Sequence, residues 1–441
     1  MTNASLFLLS NGHHSTYADR WRAVGQTAGM TSDAVKDRYR FTAQAAGPTV
    51  VRSDGMWLYT ADGRAILDGA GGALVCNVGH GRAEVATAVH HALTTTDYVL
   101  PTWSTPNRQA LIDTLVDSWL PARHSHAFFA CGGSEGNDSA IRLARLHHLS
   151  NGQPERWKVI GRTPSYHGST LATLAAGNHA GRKAGLEPLL AEWPKVPWDD
   201  ASALAGVIEA AGPETVSAFI AEPIIGAAGG ALTAEADYWA EAVSICRHYG
   251  VLTIVDEVMT GFGRTGYRWG HEGDGWEPDI LVSGKGLAGG YQPISVVSAA
   301  DHVVDPVTEA GRNLMFFTYS GHDASCAAAL VVLDIIEREG LIDRAAAMGR
   351  LLRTELMSAF GDHPAVTAVR GRGLMQGVGL RPGLTATKVV GECMKRDLWL
   401  YPAGSGHSTG DAVLIGPPLI IDEAGVHQIV TTLVDAINAC V

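Results

Sequence analysis

Short apolar runs recur between residues 126 and 299, and each is bounded by glycine, proline or a charged residue. They lack the alternation of apolar and polar positions that a strand with one wet face shows, so they predict strands covered on both faces. Helical patterns separate them, including residues 134–149 and a helix closed by Gly250. This alternation predicts an α/β fold with a mostly parallel sheet. The predicted strands lie at 126–130, 157–161, 216–224, 251–258, 279–285 and 293–299.

The pattern changes to longer helices beyond about residue 325, and a last helix begins at Glu423. A chain of 441 residues exceeds the usual size of a single domain, so we predict two domains. Residues 66–325 form the large domain in this prediction. Residues 326–441 form a smaller C-terminal α+β domain, and residues 1–65 join that smaller domain.

The composition is that of an ordinary globular protein, with 46% hydrophobic and 18% charged residues. Lys and Arg number 33 against 45 Asp and Glu, and the resulting net charge of -12 argues against a nucleic-acid partner. No apolar run reaches the roughly 18 residues of a membrane span, and the N-terminus lacks a signal-peptide pattern. We therefore expect a cytoplasmic protein without membrane association. The 6 cysteines are scattered without a CxxC pair, which predicts reduced thiols and no metal site.

Polar residues follow several predicted strands at their carboxyl ends, where open parallel sheets bind ligands. Gly133 and Ser134 begin a helix whose free N–H groups could hold a phosphate. Asp256 ends another strand, and Lys285 follows an apolar run that could desolvate its amine and make it a nucleophile. Taken singly, these features also suit a glycine turn with a serine cap or a surface lysine. Together they are the parts that a pyridoxal phosphate site requires.

The chain resembles the class III aminotransferases, which are fold type I pyridoxal phosphate enzymes, over nearly its whole length. The resemblance implies a large, mostly parallel-sheet α/β domain and a smaller α+β domain built from the N- and C-terminal segments. Its most specific motifs read GGSEGNDSAIRLAR, SYHGST, DEVMTGFGRTG and PDILVSGKGLAGGYQP. The matching segments, in family order, are residues 55–72, 78–89, 132–145, 165–170, 221–230, 256–266, 278–293, 317–330, 369–380 and 416–421.

Two catalytic residues follow from the resemblance. Lys285 would hold pyridoxal 5'-phosphate as an internal aldimine and then move the proton between substrate and cofactor. Asp256 would bind the pyridine nitrogen and keep it protonated. The implied reaction is a ping-pong transfer of an amino group from a primary amine or ω-amino acid to a 2-oxo acid such as pyruvate. A decarboxylating transaminase, an aminomutase or racemase of the same fold, and a non-catalytic cofactor-bound protein are the alternatives.

Further residues would contact the cofactor. Tyr166 would stack on one face of its ring and Val258 on the other. Thr318 would reach the phosphate of the neighbouring subunit, which implies a homodimer. Glu222 and Glu257 could each form a structural ion pair, and Glu222 is the better site candidate. The implied cofactor-binding residues are Gly133, Ser134, Tyr166, His167, Glu222, Asp256, Val258, Lys285 and Thr318.

The substrate pocket departs from the family pattern. Many members bind the α-carboxylate of the 2-oxo acid with an arginine in a C-terminal loop, but no arginine stands between Trp399 and Leu419. Leu74 stands where the family often has tryptophan. Candidate replacements for the arginine are Ser405, His407, Ser408 and Arg372, and the sequence does not rank them. The predicted substrate residues are Trp57, Leu74, Trp103 and His407.

Overall fold

The computed structural model of the protein describes residues 47–312, 316–404 and 409–441. Its strands are short, and most lie in one large sheet and two smaller ones. In chain order they are β1 (Val50–Asp54), β2 (Trp57–Thr60), β3 (Ala65–Asp68), β4 (His126–Ala130), β5 (Lys158–Thr163), β6 (Lys195–Pro197), β7 (Val216–Ala221), β8 (Ile224–Ile225), β9 (Leu232–Thr233), β10 (Leu252–Asp256), β11 (Ile280–Ser283), β12 (Ser295–Ala299), β13 (Val366–Arg372), β14 (Met375–Leu380), β15 (Leu398–Trp399), β16 (Tyr401–Ala403) and β17 (Ala412–Ile415).

The α-helices of the described residues range from a single irregular turn, α1, to helices of several turns. In chain order they are α1 (Gly71–Leu74), α2 (Ala83–Thr95), α3 (Pro106–Thr114), α4 (Gly133–Ser150), α5 (Leu171–Ala176), α6 (Ala180–Lys183), α7 (Ala203–Ala211), α8 (Tyr238–Tyr249), α9 (Asp301–Glu309), α10 (Asp323–Arg338), α11 (Leu341–Phe360), α12 (Ala386–Met394) and α13 (Glu423–Asn438). None of the described helices is both long and apolar enough to cross a membrane.

A seven-stranded sheet in the order β4-β12-β11-β10-β7-β5-β6 forms the centre of the structure. Only β12 runs antiparallel to its neighbours, so the sheet is mostly parallel. Every residue of β7, β10, β11 and β12 is buried, as expected for unbroken apolar runs covered on both faces. The predicted α/β fold is therefore confirmed. The sequence pattern missed β6, because its three residues are too few to form a recognisable run.

Two further four-stranded sheets contain the remaining longer strands, in the orders β1-β2-β3-β15 and β13-β14-β17-β16. The first joins distant parts of the chain, because β15 pairs in parallel with β3 and places Leu398 opposite Leu67. The second is antiparallel throughout. The domain boundaries at residues 65 and 325 stay predictions, and residues 1–46 lie outside the described part of the chain.

Helix α4 packs its apolar face on the central sheet, as the sequence predicted. Ala140, Ile141 and Ala144 are buried in one cluster with Ile254 and Val282 of the sheet. This packing fixes the first turn of α4 against the ends of β10 and β11. Helix α8 also ends as predicted, because Gly250 adopts a left-handed φ of 64° at its C-cap.

Glu257, directly after β10, holds the segment that follows the strand. Its buried carboxylate accepts the N–H of Gly270 at 2.9 Å, the N–H of His271 at 2.8 Å and Nδ1 of His271 at 2.8 Å. The hydroxyl of Thr260 donates a further short hydrogen bond. Burial alone would raise the pKa of Glu257, but the hydrogen bonds from His271 and Thr260 outweigh it and hold the pKa below its usual value. Glu257 is therefore a structural acid.

We expect Glu257→Gln to destabilise the protein by about 3 kcal/mol at pH 7, because an amide cannot accept the same set of hydrogen bonds. A lowered pKa contributes stability above the unfolded-state value of about 4.3 and loses it as the pH falls through the folded-state pKa. The difference in free energy of unfolding between Glu257→Gln and the parent protein should therefore shrink below about pH 4. Thermal unfolding at pH 7 and below about pH 4 measures this difference. Glu272→Gln, at an exposed acid of the same segment, is the control, and equal melting temperatures for all three proteins would contradict the assignment.

Candidate active site

One cavity lies where the carboxyl ends of β4, β5, β7, β10 and β11 meet. These strands run in the same direction, so the segments that follow them converge on one edge of the sheet. Each of those segments supplies at least one lining residue, and every predicted cofactor-binding residue except Thr318 is among them. The lining residues are Gly133, Ser134, Asn137, Tyr166, His167, Gly168, Glu222, Ile224, Asp256, Val258, Met259 and Lys285.

Lys285 follows β11 and begins the short turn Lys285–Leu287. Its backbone has a left-handed φ of 41°, which is uncommon for a residue other than glycine. Burial lowers the pKa of its amine to about 8, although the charges of Asp256 and Glu222 oppose that shift. Near neutral pH the amine is therefore unprotonated, and nucleophilic, for a larger fraction of the time than an exposed lysine.

Asp256, the last residue of β10, is buried and held by three hydrogen bonds. Its Oδ2 accepts from Nδ2 of Asn137 and from Nδ1 of His167, each at 2.8 Å. Its Oδ1 accepts the N–H of Val258 at 3.1 Å. The donors come from helix α4, from the segment after β5 and from the residues after β10. The orientation of the carboxylate at the cavity is thus fixed from three sides.

The same network leaves two buried polar atoms without a hydrogen-bond partner among the described residues, namely Nε2 of His167 and Oδ1 of Asn137. Such atoms are rare, because an unpaired buried polar group costs about 1–3 kcal/mol. Both residues line the cavity, where polar atoms of a ligand could satisfy them. Together with the amine of Lys285 and the carboxylate of Asp256, this set of donors and acceptors fits pyridoxal phosphate.

Glu222 directly follows β7 and fixes the segment that presents Tyr166 to the cavity. Its Oε1 accepts the N–H of Tyr166 and its Oε2 accepts the N–H of Gly226, both at 3.0 Å. Burial raises the pKa of this carboxyl and Asp256 raises it further, while His167 and the two N–H groups oppose the rise. The position of Tyr166 therefore depends on a buried acid that lines the same cavity.

Close backbone approach shapes the cavity wall around Ser134. Oγ of Ser134 accepts the N–H of Ser169 at 3.0 Å. A Cβ on Gly168 would lie 2.6 Å from that Oγ, and a Cβ on Gly133 would lie 2.8 Å from Cγ1 of Val258. Both positions therefore require glycine. Their small size leaves the first turn of α4 open to the cavity, and the free N–H groups of a helix N-terminus attract anions.

The predicted substrate residues are placed in three different ways. Leu74 is buried in a cluster with Ile224 and Met259, which both line the cavity, so it lies directly behind the cavity wall. Trp57 is half-buried against the main core and is not a lining residue. Trp103 is 62% exposed on the surface and does not line the cavity of its own chain. Trp57 and Trp103, which the sequence predicted to contact the substrate, therefore do not line this cavity.

Arg372 is the candidate replacement for the missing arginine that lies among the described residues. Arg372 forms two hydrogen bonds of 3.0 Å with the carboxylate of Asp274, so its guanidinium already has an acidic partner. Ser405, His407 and Ser408 lie outside the described residues.

Asn137 is a site residue that the sequence analysis missed. It lies on α4 one turn before Ile141, on the face that packs against the sheet, and it is 1% exposed. A polar residue on an apolar helix face needs a hydrogen-bond partner, because burying it without one is costly. The position of Asn137 on the apolar face of α4 therefore indicates a buried polar contact. The spacing of residues along the chain does not identify Asp256 as the partner.

Among the described residues one group of side chains offers metal-ligand chemistry, namely Asp68, Cys76 and His80, whose potential ligand atoms lie within 4.8 Å of one another. Nε2 of His80 bonds Oδ2 of Asp68 at 2.9 Å, and both oxygens of Asp68 accept the N–H of Gly72 at 2.9 Å. Burial lowers the pKa of His80, but Asp68 and Cys76 outweigh it and raise the pKa to about 10. These bonds brace the loop that contains Leu74. The absence of a metal site stays a prediction.

The amine of Lys285 should react with small aldehydes with a midpoint near pH 8, because only its neutral form is nucleophilic. Reductive labelling of the ligand-free protein across pH 6 to about 11, followed by mass spectrometry of the Lys285 peptide, measures this. The matched reference is a model lysine peptide, whose midpoint is about 10.4. A Lys285 midpoint equal to that of the peptide would show that burial does not shift this amine.

Comparison with known proteins agrees with this geometry. The family profile Aminotransferase class-III matches residues 41–437. The diaminobutyrate–2-oxoglutarate transaminase of Halomonas elongata is 32% identical over 430 residues, which cover 89% of this chain and 91% of that protein. The putrescine–pyruvate aminotransferase of Pseudomonas aeruginosa is 31% identical over 426 residues, with 89% and 91% covered. The solved structure of the ω-transaminase from Pseudomonas jessenii in complex with PMP has a TM-score of 0.83 and 30% identity, and the match covers 89% of this chain and 93% of that chain. The chain belongs to the class III aminotransferases, a family of pyridoxal phosphate-dependent enzymes.

Proposed function

We propose that this aminotransferase moves the amino group of a primary amine or ω-amino acid to a 2-oxo acid such as pyruvate, with pyridoxal 5'-phosphate bound in the cavity. The observation that carries the proposal is the presence in one cavity of Lys285, with a pKa lowered to about 8, and the carboxylate of Asp256. The two named relatives act on diaminobutyrate or putrescine and use 2-oxoglutarate or pyruvate. Both donors have a terminal primary amine, which supports the donor class proposed here.

Lys285 and Asp256 divide the chemical work. Lys285 would hold the aldehyde carbon of the cofactor and, once a substrate amine replaces it, would take and return the proton at the substrate carbon. The bound cofactor supplies an electron sink for the charge left on that carbon. A proton carrier works best with a pKa near the working pH, which the buried amine of Lys285 satisfies. Asp256 would keep the ring nitrogen protonated, and its three hydrogen bonds prevent it from rotating away.

The remaining lining residues would bind and orient the cofactor. Gly133 and Ser134 would hold the phosphate at the N-terminus of α4. Tyr166 and Val258 would enclose the ring from its two faces. His167 would position Asp256 through the 2.8 Å hydrogen bond from its Nδ1. The side chain of Val258 is also the group that a Cβ on Gly133 would meet first, at 2.8 Å. The proposed ring and phosphate subsites would therefore share one wall.

The quaternary structure in this proposal is a homodimer in which Thr318 reaches the partner's cofactor phosphate. Thr318 is exposed and does not line the cavity of its own chain. It stands beside Tyr319, which is 60% exposed and whose ring lies 6.0 Å from that of Tyr98. Phe316 and Trp103 are 57% and 62% exposed. Several exposed large aromatics are typical of a subunit interface.

Thr318→Ala should weaken cofactor binding about tenfold, because one hydrogen bond to a charged phosphate is lost. Thr318→Ser retains the hydroxyl and should bind the cofactor as the parent protein does. Fluorescence titration of the ligand-free proteins with pyridoxal phosphate measures the affinity, and sedimentation measures the oligomer. Equal affinities for the alanine and serine variants, or a monomeric parent protein, would contradict the role of Thr318.

The decisive experiment is a panel of amino donors added to the cofactor-loaded protein, followed by absorbance. A donor should convert the aldehyde form of the cofactor to its amine form, and pyruvate or 2-oxoglutarate should restore it. Lys285→Ala should retain the cofactor noncovalently and lose at least about 100-fold in rate, since the proton carrier is gone. Asp256→Asn should remain coloured and turn over very slowly.

Product analysis with one donor separates the alternatives. A decarboxylating transaminase would release carbon dioxide, and an aminomutase or racemase would return an isomer of the donor without consuming a 2-oxo acid. If no donor changes the spectrum of protein with bound cofactor, the proposed transamination is wrong. An active Lys285→Ala variant would instead contradict the catalytic assignment alone.

A further inference from the structure

The proposed function requires recognition of an α-carboxylate, because every 2-oxo acid acceptor has one. A guanidinium is the side chain best suited to this, since its planar fork matches a carboxylate with two parallel hydrogen bonds. The chain has no arginine between Trp399 and Leu419. If the proposed function, on which this inference rests, is right, another arginine of this chain can bind the acceptor.

Most arginines close to the cavity are committed elsewhere. Arg264 is buried and donates to Asn77 Oδ1 at 2.8 Å and to the carbonyl oxygen of Leu374 at 3.2 Å. Arg162 is buried and donates to the carbonyl oxygen of Glu222. Arg372 is paired with an aspartate, as described above. None of these guanidinium groups can turn to a substrate without breaking a hydrogen bond that supports the fold.

Arg182, on the short helix α6, differs from them. Its guanidinium carbon lies 4.4 Å from the centre of the Tyr166 ring, and Tyr166 lines the cavity. Its Nη1 donates to the hydroxyl of Tyr166 and its Nη2 to the hydroxyl of Tyr401, both at the long distance of 3.3 Å. Arg182 is exposed and forms no ion pair with any described acidic residue. Both ends of its fork are therefore held by weak, neutral partners.

The charge of Arg182 also acts on the reacting centre. It is one of the groups that lower the pKa of Lys285, behind the larger effect of burial. A positive charge that is felt at Lys285 lies close enough to attract an anion bound beside that residue. Tyr401 connects this position to Leu74, since both belong to the apolar cluster behind the cavity wall.

We propose that Arg182 binds the α-carboxylate of the 2-oxo acid acceptor and thereby takes the place of the missing C-terminal arginine. The aromatic face of Tyr166, a residue that lines the cavity, holds the guanidinium beside it. The tyrosine hydroxyls give up two weak hydrogen bonds, and the carboxylate replaces them with two stronger ones. When the amine donor has no carboxylate, Arg182 keeps its hydrogen bonds to Tyr166 and Tyr401. One site thus accepts both substrates in turn.

The test separates the two halves of the reaction in the cofactor-loaded protein. Arg182→Ala should raise the KM for pyruvate about 10- to 100-fold with a smaller change in kcat, because a charged bidentate contact is lost. The rate with putrescine as donor should stay within about threefold of the rate of the parent protein. The KM for propanal, an acceptor without a carboxylate, should also stay within about threefold of the parent value. Arg182→Lys should recover only part of the loss, since an ammonium cannot form the fork. Arg353→Ala, at an exposed arginine of α11, is the matched control.

Each result of these measurements either supports or overturns the role of Arg182 in binding the acceptor. An unchanged KM for pyruvate in Arg182→Ala overturns the inference, and equal losses for pyruvate, putrescine and propanal show that Arg182 only positions Tyr166. Calorimetric titration with propionate, an unreactive carboxylate, gives a second readout, and its Kd should rise at least about tenfold in Arg182→Ala. If the parent protein transaminates no donor, the proposed function fails. The propionate titration still shows whether Arg182 binds carboxylates.

Discussion

The buried carboxylate of Asp256 is the constraint on which the cavity depends. An unpaired buried charge costs several kcal/mol, so the fold surrounds it with donors. Asn137 arrives on helix α4, His167 on the segment after β5, and the N–H of Val258 from the residues after β10. Three segments that are distant in sequence therefore meet at one pair of oxygens. The parallel sheet makes this meeting possible, because it brings the carboxyl ends of its strands to one edge.

The neighbouring acid shows how the same charge can serve a different purpose. Side chains of consecutive residues in extended chain point in opposite directions, so Glu257 faces away from the cavity that Asp256 lines. The partners of its carboxylate, at Thr260, Gly270 and His271, belong to the segment that follows. Two adjacent carboxylates are thus separated into a ligand-facing group and a structural one. The sequence shows the pair, but only the positions of the donors distinguish the two roles.

The sequence is informative where one residue type has one physical use. Unbroken apolar runs indicated the buried strands, and the residues at their ends proved to line one cavity. The apolar run of β12 does not by itself indicate the direction of the strand. Residues 284–294 form only a short connection without a crossover helix, and the strand therefore returns antiparallel to β11. Trp57 and Trp103 are large aromatics, and such a side chain indicates a large contact area but does not identify the group that it contacts. Asn137 and Arg182 depend on partners far away in sequence, which no local pattern names.

The charges around Lys285 suit an enzyme that must admit a cation and an anion in turn. Asp256 and Glu222 favour a positive charge there, while burial and Arg182 disfavour it, and the balance is an amine with a pKa of about 8. An arginine paired with an acid would have to break an ion pair before it could meet an acceptor. An arginine held by two tyrosine hydroxyls gives up only two long hydrogen bonds of 3.3 Å to neutral acceptors, which are weaker than an ion pair with a carboxylate. Because no acidic residue of the described part of the chain pairs with Arg182, the same cavity can alternate between amine and acid at little energetic cost.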